Sequence, residues 1–288
     1  GKFKNFTMND DERYELYLAA WLHDCGKVAT PPHVVDKGTK LETIFDRIEL
    51  IRTRMELLKK DEEIAFLKRQ LNGRSNMPFD EIYKEAVQEI ESNMKFLEEC
   101  NIGGEFMNPE LQDRVRSIGE KKTNLFDREQ TFLTKEEIQN LTIPKGTLLP
   151  EEREIINDHI VITIEMLEQL PYPKNLKNVP EFAGGHHEKM DGTGYPKGLN
   201  KSQMSTQARI MAIADIYEAL TAADRPYKEG KKLSQAMRIM GFMKNDYHID
   251  EDLFEIFVTS GVYKQYAVDH VAETQIDEVN ETSVLGKE

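Results

Sequence analysis

Two cysteines in 288 residues, Cys25 and Cys100, are too few to staple a chain of this length, so a disulfide framework is excluded and a reducing cytoplasm is the expected setting. No run approaches the roughly eighteen uninterrupted apolar residues of a membrane-spanning helix, and the N-terminus has neither a secretory nor a lipidation pattern. There is no internal repeat, and no alternation long enough to specify a sheet. Positive charge is in deficit: 38 basic residues face 52 acidic ones, a formal charge of −14. That balance excludes a broad surface for polymeric nucleic acid or anionic membrane, so any phosphate-bearing substrate must be met by a local cluster of cations. The chain begins with Gly rather than Met, as an excised piece of a longer protein would, and an upstream sensor or receiver domain is expected.

What is present is helical. Apolar residues make up 39% and charged ones 31%, ordinary for a globular protein with one main domain and something added. Leu16, Ala19, Ala20 and His23 recur at helical spacing behind the caps Asn9 and Asp10, which places His23 and Asp24 at a helix C-terminus and Trp21 in a core. Ile44, Ile48, Ile51, Met55 and Leu58 mark a long amphipathic helix, and Phe79, Ile82, Ala86, Ile90, Met94 and Leu97 a second. With a turn at Asn72-Gly73 these pair as an antiparallel hairpin, so residues 43–118 read as an insertion. It divides a discontinuous core of residues 1–42 and 119–245. Between Asn101 and Pro150 the signals are short: a small helix near Lys135 to Asn140 and a turn at Pro144-Lys145-Gly146. Pro150 opens a helix with Ile155, His159, Ile162 and Met166 on one face, and a glycine-shaped loop runs from Asp191 to Pro196. A further helix over about 205–222 places Asp215 in an apolar neighbourhood. Residues 246–288 hold short helices and an acidic tail expected to be disordered or docked on a partner.

A buried carboxylate costs several kcal/mol unless a cation meets it, and a chain that repeats this beside histidines is coordinating metal. His23, Asp24, His159, His186, His187 and Asp215 are the candidates. Four imidazoles and two carboxylates suit two divalent ions, with iron or manganese fitting better than a structural zinc. Two ions can acidify a water held between them and clamp phosphoryl oxygens, which is phosphate-ester hydrolysis. His33, His248 and His270 have no partner at ligand spacing, and Cys25 is a small packing residue rather than a nucleophile.

The segment His23-Asp24-Cys25-Gly26-Lys27 resembles the HD-x-G-K signature of the HD superfamily. His186-His187-Glu188 with Asp191-Gly192-Thr193-Gly194-Tyr195-Pro196 resembles the signature of HD-GYP proteins, and the likeness continues through residues 214–221 and Arg225-Pro226-Tyr227-Lys228. The resemblance implies a compact all-α bundle of the HD-domain type, here with an inserted hairpin. It implies the six candidates as ligands, Asp24 and Lys27 as catalytic residues, and a bacterial second messenger, a cyclic dinucleotide such as cyclic di-GMP, as substrate. It further implies Lys27 at the scissile phosphate and Arg225 and Lys228 at the other phosphate or the guanine edge. Glu188, Asp191, Gly194, Tyr195 and Pro196 form the surroundings of the ligands, with Glu188 expected to orient an imidazole and the loop expected to shape the site wall or a partner interface. Many family members add a His from a helix upstream of the HD motif, whereas no His precedes His23 here. The spacing from Leu220 to Arg225 also has one extra residue. The inserted hairpin would serve as a dimerisation arm, a sensor contact or a lid. Three activities follow in order of preference: cleavage of cyclic di-GMP, or of 3′,3′-cyclic GMP-AMP, to linear dinucleotide or mononucleotide; cyclic-dinucleotide binding as a sensor with weak or no turnover; and phosphohydrolysis of mononucleotides, which the Gly192–Pro196 loop disfavours.

Overall fold

The computed structural model describes residues 2–71, 79–104, 106–125, 128–222 and 230–287, so the expected turn at Asn72-Gly73 lies outside the described residues. The chain forms two compact units, one of residues 1–31 with 154–288 and one of residues 32–153. The interruption is therefore wider than the expected 43–118, and residues 246–288 belong to the first unit rather than to an appendage.

Helix α1 (Asp10–Leu22) opens with a capping box in which the Asn9 side chain accepts from Glu12 N–H and the Glu12 carboxylate accepts from Asn9 N–H. Its inward face carries Glu15 and Ala19, and Glu15 accepts from the Asn178 backbone and side-chain N–H groups at 2.6 and 3.1 Å. Trp21 departs from expectation. It is 73% exposed and continues a ladder with Tyr14 and Tyr17 that the helical period puts roughly opposite Glu15, Ala19 and His23. A 3₁₀ turn (Cys25–Ala29) follows directly.

The second unit runs through α2 (Pro32–Val35), α3 (Ile48–Leu71), α4 (Phe79–Asn101), α5 (Pro109–Gly119), β1 (Lys122–Leu125), β2 (Arg128–Thr131) and α6 (Lys135–Leu141). Arg52 meets Glu98, Lys59 meets Glu91 and Phe66 stacks on Tyr83, a descending register that makes α3 and α4 antiparallel, as the periodicity predicts. The core beneath them unites Ile51, Met55 and Leu97 with Leu41, Val115, Ile118, Leu133 and Leu141. Strands β1 and β2 form an antiparallel ribbon with Lys122 opposite Thr131, although neither segment shows a strand-like alternation; β2 is exposed along its whole length.

The chain continues with α7 (Pro150–Asn157), α8 (His159–Glu168), α9 (Val179–Gly184), α10 (Thr206–Thr221), α11 (Leu233–Asn245), α12 (Glu251–Thr259), α13 (Val262–His270) and α14 (Glu281–Leu285). Helix α9 packs against α1, α8 and α10, joined by Ala19, Leu167, Phe182, Ala183 and Met211. The other side of α10 offers Ile213 and Tyr217 to a cluster with Met237, Met240, Phe254, Val258 and Tyr263. Val279, Val284 and Leu285 of the acidic tail pack on that cluster, so the described tail is folded onto its own unit and not disordered. The architecture is all-α apart from the small ribbon.

Candidate metal centre

The six candidates are delivered by several local devices, with His186 and His187 sharing one turn. His23 is the C-cap of α1, and Asp24 leads into the 3₁₀ turn. Gly26 N–H donates to Thr163 Oγ1 at 2.9 Å, and a Cβ on Gly26 would fall 2.0 Å from the His159 carbonyl oxygen. Only glycine lets the turn approach α8 this closely, which brings Asp24 beside the first residue of that helix, His159. His186 and His187 stand in the turn that closes α9, and Asp215 lies mid-way along α10, a helix capped by Ser205.

All six converge. The Nε2 of His23 is 3.4 Å from both Asp24 and Asp215, and the Nε2 of His159 is 3.1 Å from the other oxygen of Asp24. The His186 ring lies 4.8 Å from that of His23 and 4.1 Å from that of His187, centroid to centroid, and His187 is 5.1 Å from His159. Two triads, His159-His186-His187 and His23-Asp24-His186, each have ligand atoms within 4.8 Å of one another.

The hydrogen bonds say which nitrogens are free. The Nδ1 atoms of His23, His159 and His186 lie 2.7, 2.5 and 2.7 Å from the carbonyl oxygens of Ala20, Ile156 and Ala183, each three residues earlier. A carbonyl only accepts, so Nδ1 carries the hydrogen and Nε2 is left with a lone pair in the neutral ring. For His23 and His159 that lone pair faces carboxylate oxygens, and neither Nε2 finds a hydrogen-bond partner although both are buried. Acceptor facing acceptor is repulsive unless a proton or a cation stands between them. The residues present therefore fit divalent metal, with imidazole and carboxylate as the donor set.

Without a cation the site partly compensates through protons. Burial works against a charged His23, but Asp215 and Asp24 raise its pKa above the usual imidazole value. Burial likewise disfavours ionised Asp24 and Asp215, yet His159 and the Lys27 ammonium beside Asp24, and His23 beside Asp215, hold both below the ordinary carboxylate range. Burial lowers His186, and burial with the neighbouring His186 and His159 rings pushes His187 down to about 3.

Lys27 donates to Asp24 at 2.5 Å, a cation beside the ligands. Glu188 departs from expectation: it is 1% exposed, and its two oxygens accept from the backbone N–H groups of Lys197 and Leu199 rather than from an imidazole. Asp191 accepts from the Thr193 N–H and hydroxyl, a turn that starts the glycine loop. Gly194 passes so close to Glu188 that a Cβ would lie 2.5 Å from its Cα. Tyr195, beside Pro196, is folded back over the site, its ring stacked on that of His187 at 4.8 Å and 14°. Periodicity gave no signal for that contact. Arg225 and Lys228 lie outside the described residues.

Residues 134–253 match the HD domain family, a stretch that includes four of the six candidates and omits His23 and Asp24. The chain is 40% identical over 96 residues to 3′3′-cGAMP-specific phosphodiesterase 1 of Vibrio cholerae, covering 33% of this chain and 22% of that protein. It is 46% identical over 79 residues to cyclic di-GMP phosphodiesterase PA4108 of Pseudomonas aeruginosa, covering 27% and 18%. Against a cyclic di-GMP phosphodiesterase of Thermotoga maritima the figures are 38% over 98 residues, covering 34% and 26%. The chain thus spans about a quarter or less of the length of these relatives.

Proposed function

Taking as premise that residues 134–253 carry an HD domain and that the chain is of the HD-GYP kind, we propose that it is a metal-dependent phosphodiesterase that opens a cyclic dinucleotide. The observation that carries the proposal is the meeting of four imidazoles and two carboxylates with Nε2 lone pairs of His23 and His159 turned toward carboxylate oxygens. His23, Asp24, His159, His186, His187 and Asp215 would hold two divalent ions, iron or manganese by donor chemistry. Ions so held acidify water and neutralise phosphoryl oxygens.

The chain's own residues supply the rest. Three carbonyls fix the tautomers of His23, His159 and His186, so the ligand lone pairs are set before substrate arrives. Lys27, half-exposed beside Asp24, meets a phosphoryl oxygen of the scissile bond as a point charge. Arg225 and Lys228 take the second phosphate or a guanine edge. A protein of charge −14 needs these cations to accept a dianion at all. The reaction is assigned to the cytoplasm, which the free thiols of Cys25 and Cys100 support.

Cyclic di-GMP is the favoured substrate. The second reading is 3′,3′-cyclic GMP-AMP, favoured by the relative named specific for it. Metal-loaded protein incubated with each dinucleotide and resolved by chromatography should yield linear dinucleotide or mononucleotide, and the faster substrate decides between the two readings. Tight binding of both with no product would replace the enzyme by a sensor. Elemental analysis of protein purified without chelator or oxygen tests the two ions.

A further inference from the structure

Three of the four site imidazoles are oriented by a carbonyl three residues earlier in the chain. His187 is not: among the described residues its ring makes no hydrogen bond, and burial alone does not set the plane of an imidazole, whose χ2 is broad. The His186 and His159 rings meet it tilted or edge-on, and the ring stacked on its face is Tyr195. The two rings are nearly parallel, 14° apart, with centroids at 4.8 Å. The Tyr195 backbone N–H also donates to the His187 carbonyl at 3.2 Å, so main chain and side chain of one residue grip the other.

We propose that Tyr195 is a positioning residue: its ring face holds the plane of the His187 imidazole for metal binding, in place of the carbonyl that the other three rings have. The proposal rests on reading the six residues as metal ligands. Everything around Tyr195 fixes it in turn. The buried Glu188 carboxylate accepts from Lys197 and Leu199 N–H at 2.7 and 2.8 Å, closing the loop just past Tyr195. Gly194 lies so close to Glu188 and Lys189 that a side chain there would push the loop away, its Cβ meeting Lys189 N at 2.4 Å. The Tyr195 hydroxyl donates to Asn157 Oδ1 at 3.3 Å, on the helix that ends two residues before His159. The glycine loop thus ties the support of one ligand to that of another. Loss of an orienting contact to a liganding histidine typically weakens metal binding about 10- to 100-fold.

The test compares wild type, Tyr195→Phe and Tyr195→Leu by metal titration against a competing chelator, with thermal unfolding of the metal-free proteins as control. Tyr195→Phe keeps the ring face and should bind metal within roughly 2-fold of wild type, whereas Tyr195→Leu should bind about 10-fold more weakly or worse. Equal affinity of wild type and Tyr195→Leu overturns the proposal, as does an equal loss in both variants, which would assign the effect to the hydroxyl. A wild type that takes up no metal defeats the ligand reading instead. Should Tyr195→Leu fail to fold, the wild type decides: the ring protons of His187, assigned by their loss in His187→Asn, must resonate upfield of those of the other site histidines in metal-free protein. Unshifted resonances would mean that no aromatic face covers the ring.

Discussion

A methyl group on Gly26 would sit 2.0 Å from the His159 carbonyl oxygen and 2.7 Å from Thr163 N, backbone atoms that cannot swing aside, and 2.7 Å from the Thr163 hydroxyl to which Gly26 N–H donates. Gly26→Ala should therefore force the 3₁₀ turn off α8, cost about 3 kcal/mol in urea unfolding, and release metal by parting Asp24 from His159; near wild-type stability would show the turn to be free to move. His187 is one source of acid sensitivity, beside His186 and His248, whose burial also lowers their pKa. Folded, His187 has a pKa of about 3, and unfolded it returns to the ordinary imidazole value of 6.5. Between those values the unfolded chain holds a proton that the folded chain refuses, so the contribution of neutral His187 is complete above pH 6.5 and drains away as the pH falls toward 3. The raised pKa of His23 acts oppositely, and its contribution is already complete below 6.5, so it adds no slope in that window. In metal-free protein, His187→Asn should flatten the fall in stability between roughly pH 6 and 4 by up to about 1.4 kcal/mol per pH unit. An unchanged slope would assign the acid loss to other groups. That the six candidates would meet was legible from their compact motifs taken in combination, since a single buried histidine or aspartate is more often a satisfied core residue. The partner of Glu188 and the stack of Tyr195 on His187 were not, since both depend on how a loop folds back on itself, which residue order does not encode.

At the scale of elements, α3 and α4 separate surface charge from buried area. Arg52 bridges Glu49 and Glu98, but all three are substantially exposed, so Arg52→Ala should cost under about 1 kcal/mol. Ile51, one position earlier and 0% exposed, sits in a core with Leu97 and Val115, and Ile51→Ala should cost about 2–5 kcal/mol. Denaturant midpoints of the two variants give the comparison, and an Arg52→Ala loss equal to that of Ile51→Ala would refute it. Both helices were legible because their apolar stripes are long and regular. The limits of their unit were not: Leu41, Phe132 and Leu141 join the core from segments with no period of their own, so the break falls at residues 31/32 and 153/154 rather than at 42/43 and 118/119. The β1–β2 ribbon was missed for a related reason, since Arg128 to Thr131 is polar and exposed throughout and shows no alternation. Trp21 misled in the opposite sense. An aromatic at helical spacing reads as core, but the face that α1 buries is the one carrying Glu15, a residue that sequence polarity assigns to solvent.

Across the first unit, α10 carries Asp215 between two bodies of side chains, and the chain beyond residue 245 builds one of them. The Tyr217 hydroxyl donates to the Tyr263 carbonyl at 2.8 Å, the Tyr263 hydroxyl donates to Glu281 at 2.9 Å, and Asp277 accepts from both the N–H and the hydroxyl of Ser234 at the start of α11. Asp250, wholly buried, accepts from Lys201 and Arg209 while capping α12, which links the end of the glycine loop and the start of α10 to the C-terminal helices. The acidic composition of the tail hides this, because its few apolar residues, Val279, Val284 and Leu285, are too widely spaced to show a period, yet they close the cluster over α11. A chain ending at Gln275 keeps every candidate ligand and loses these three side chains together with the Glu281 and Asp277 contacts. Partial burial of three aliphatic groups and the lost hydrogen bonds add up to about 3–5 kcal/mol, a fall in Tm of roughly 6–20 °C for a unit of this size. Metal titration of the truncated protein below its new Tm should still show the wild-type stoichiometry, since no ligand has gone. If Tm is unchanged, the tail is the dispensable segment that its composition suggests; if metal binding is lost in protein that remains folded, the C-terminal cluster sets the position of Asp215 and not only the stability of the helix that bears it.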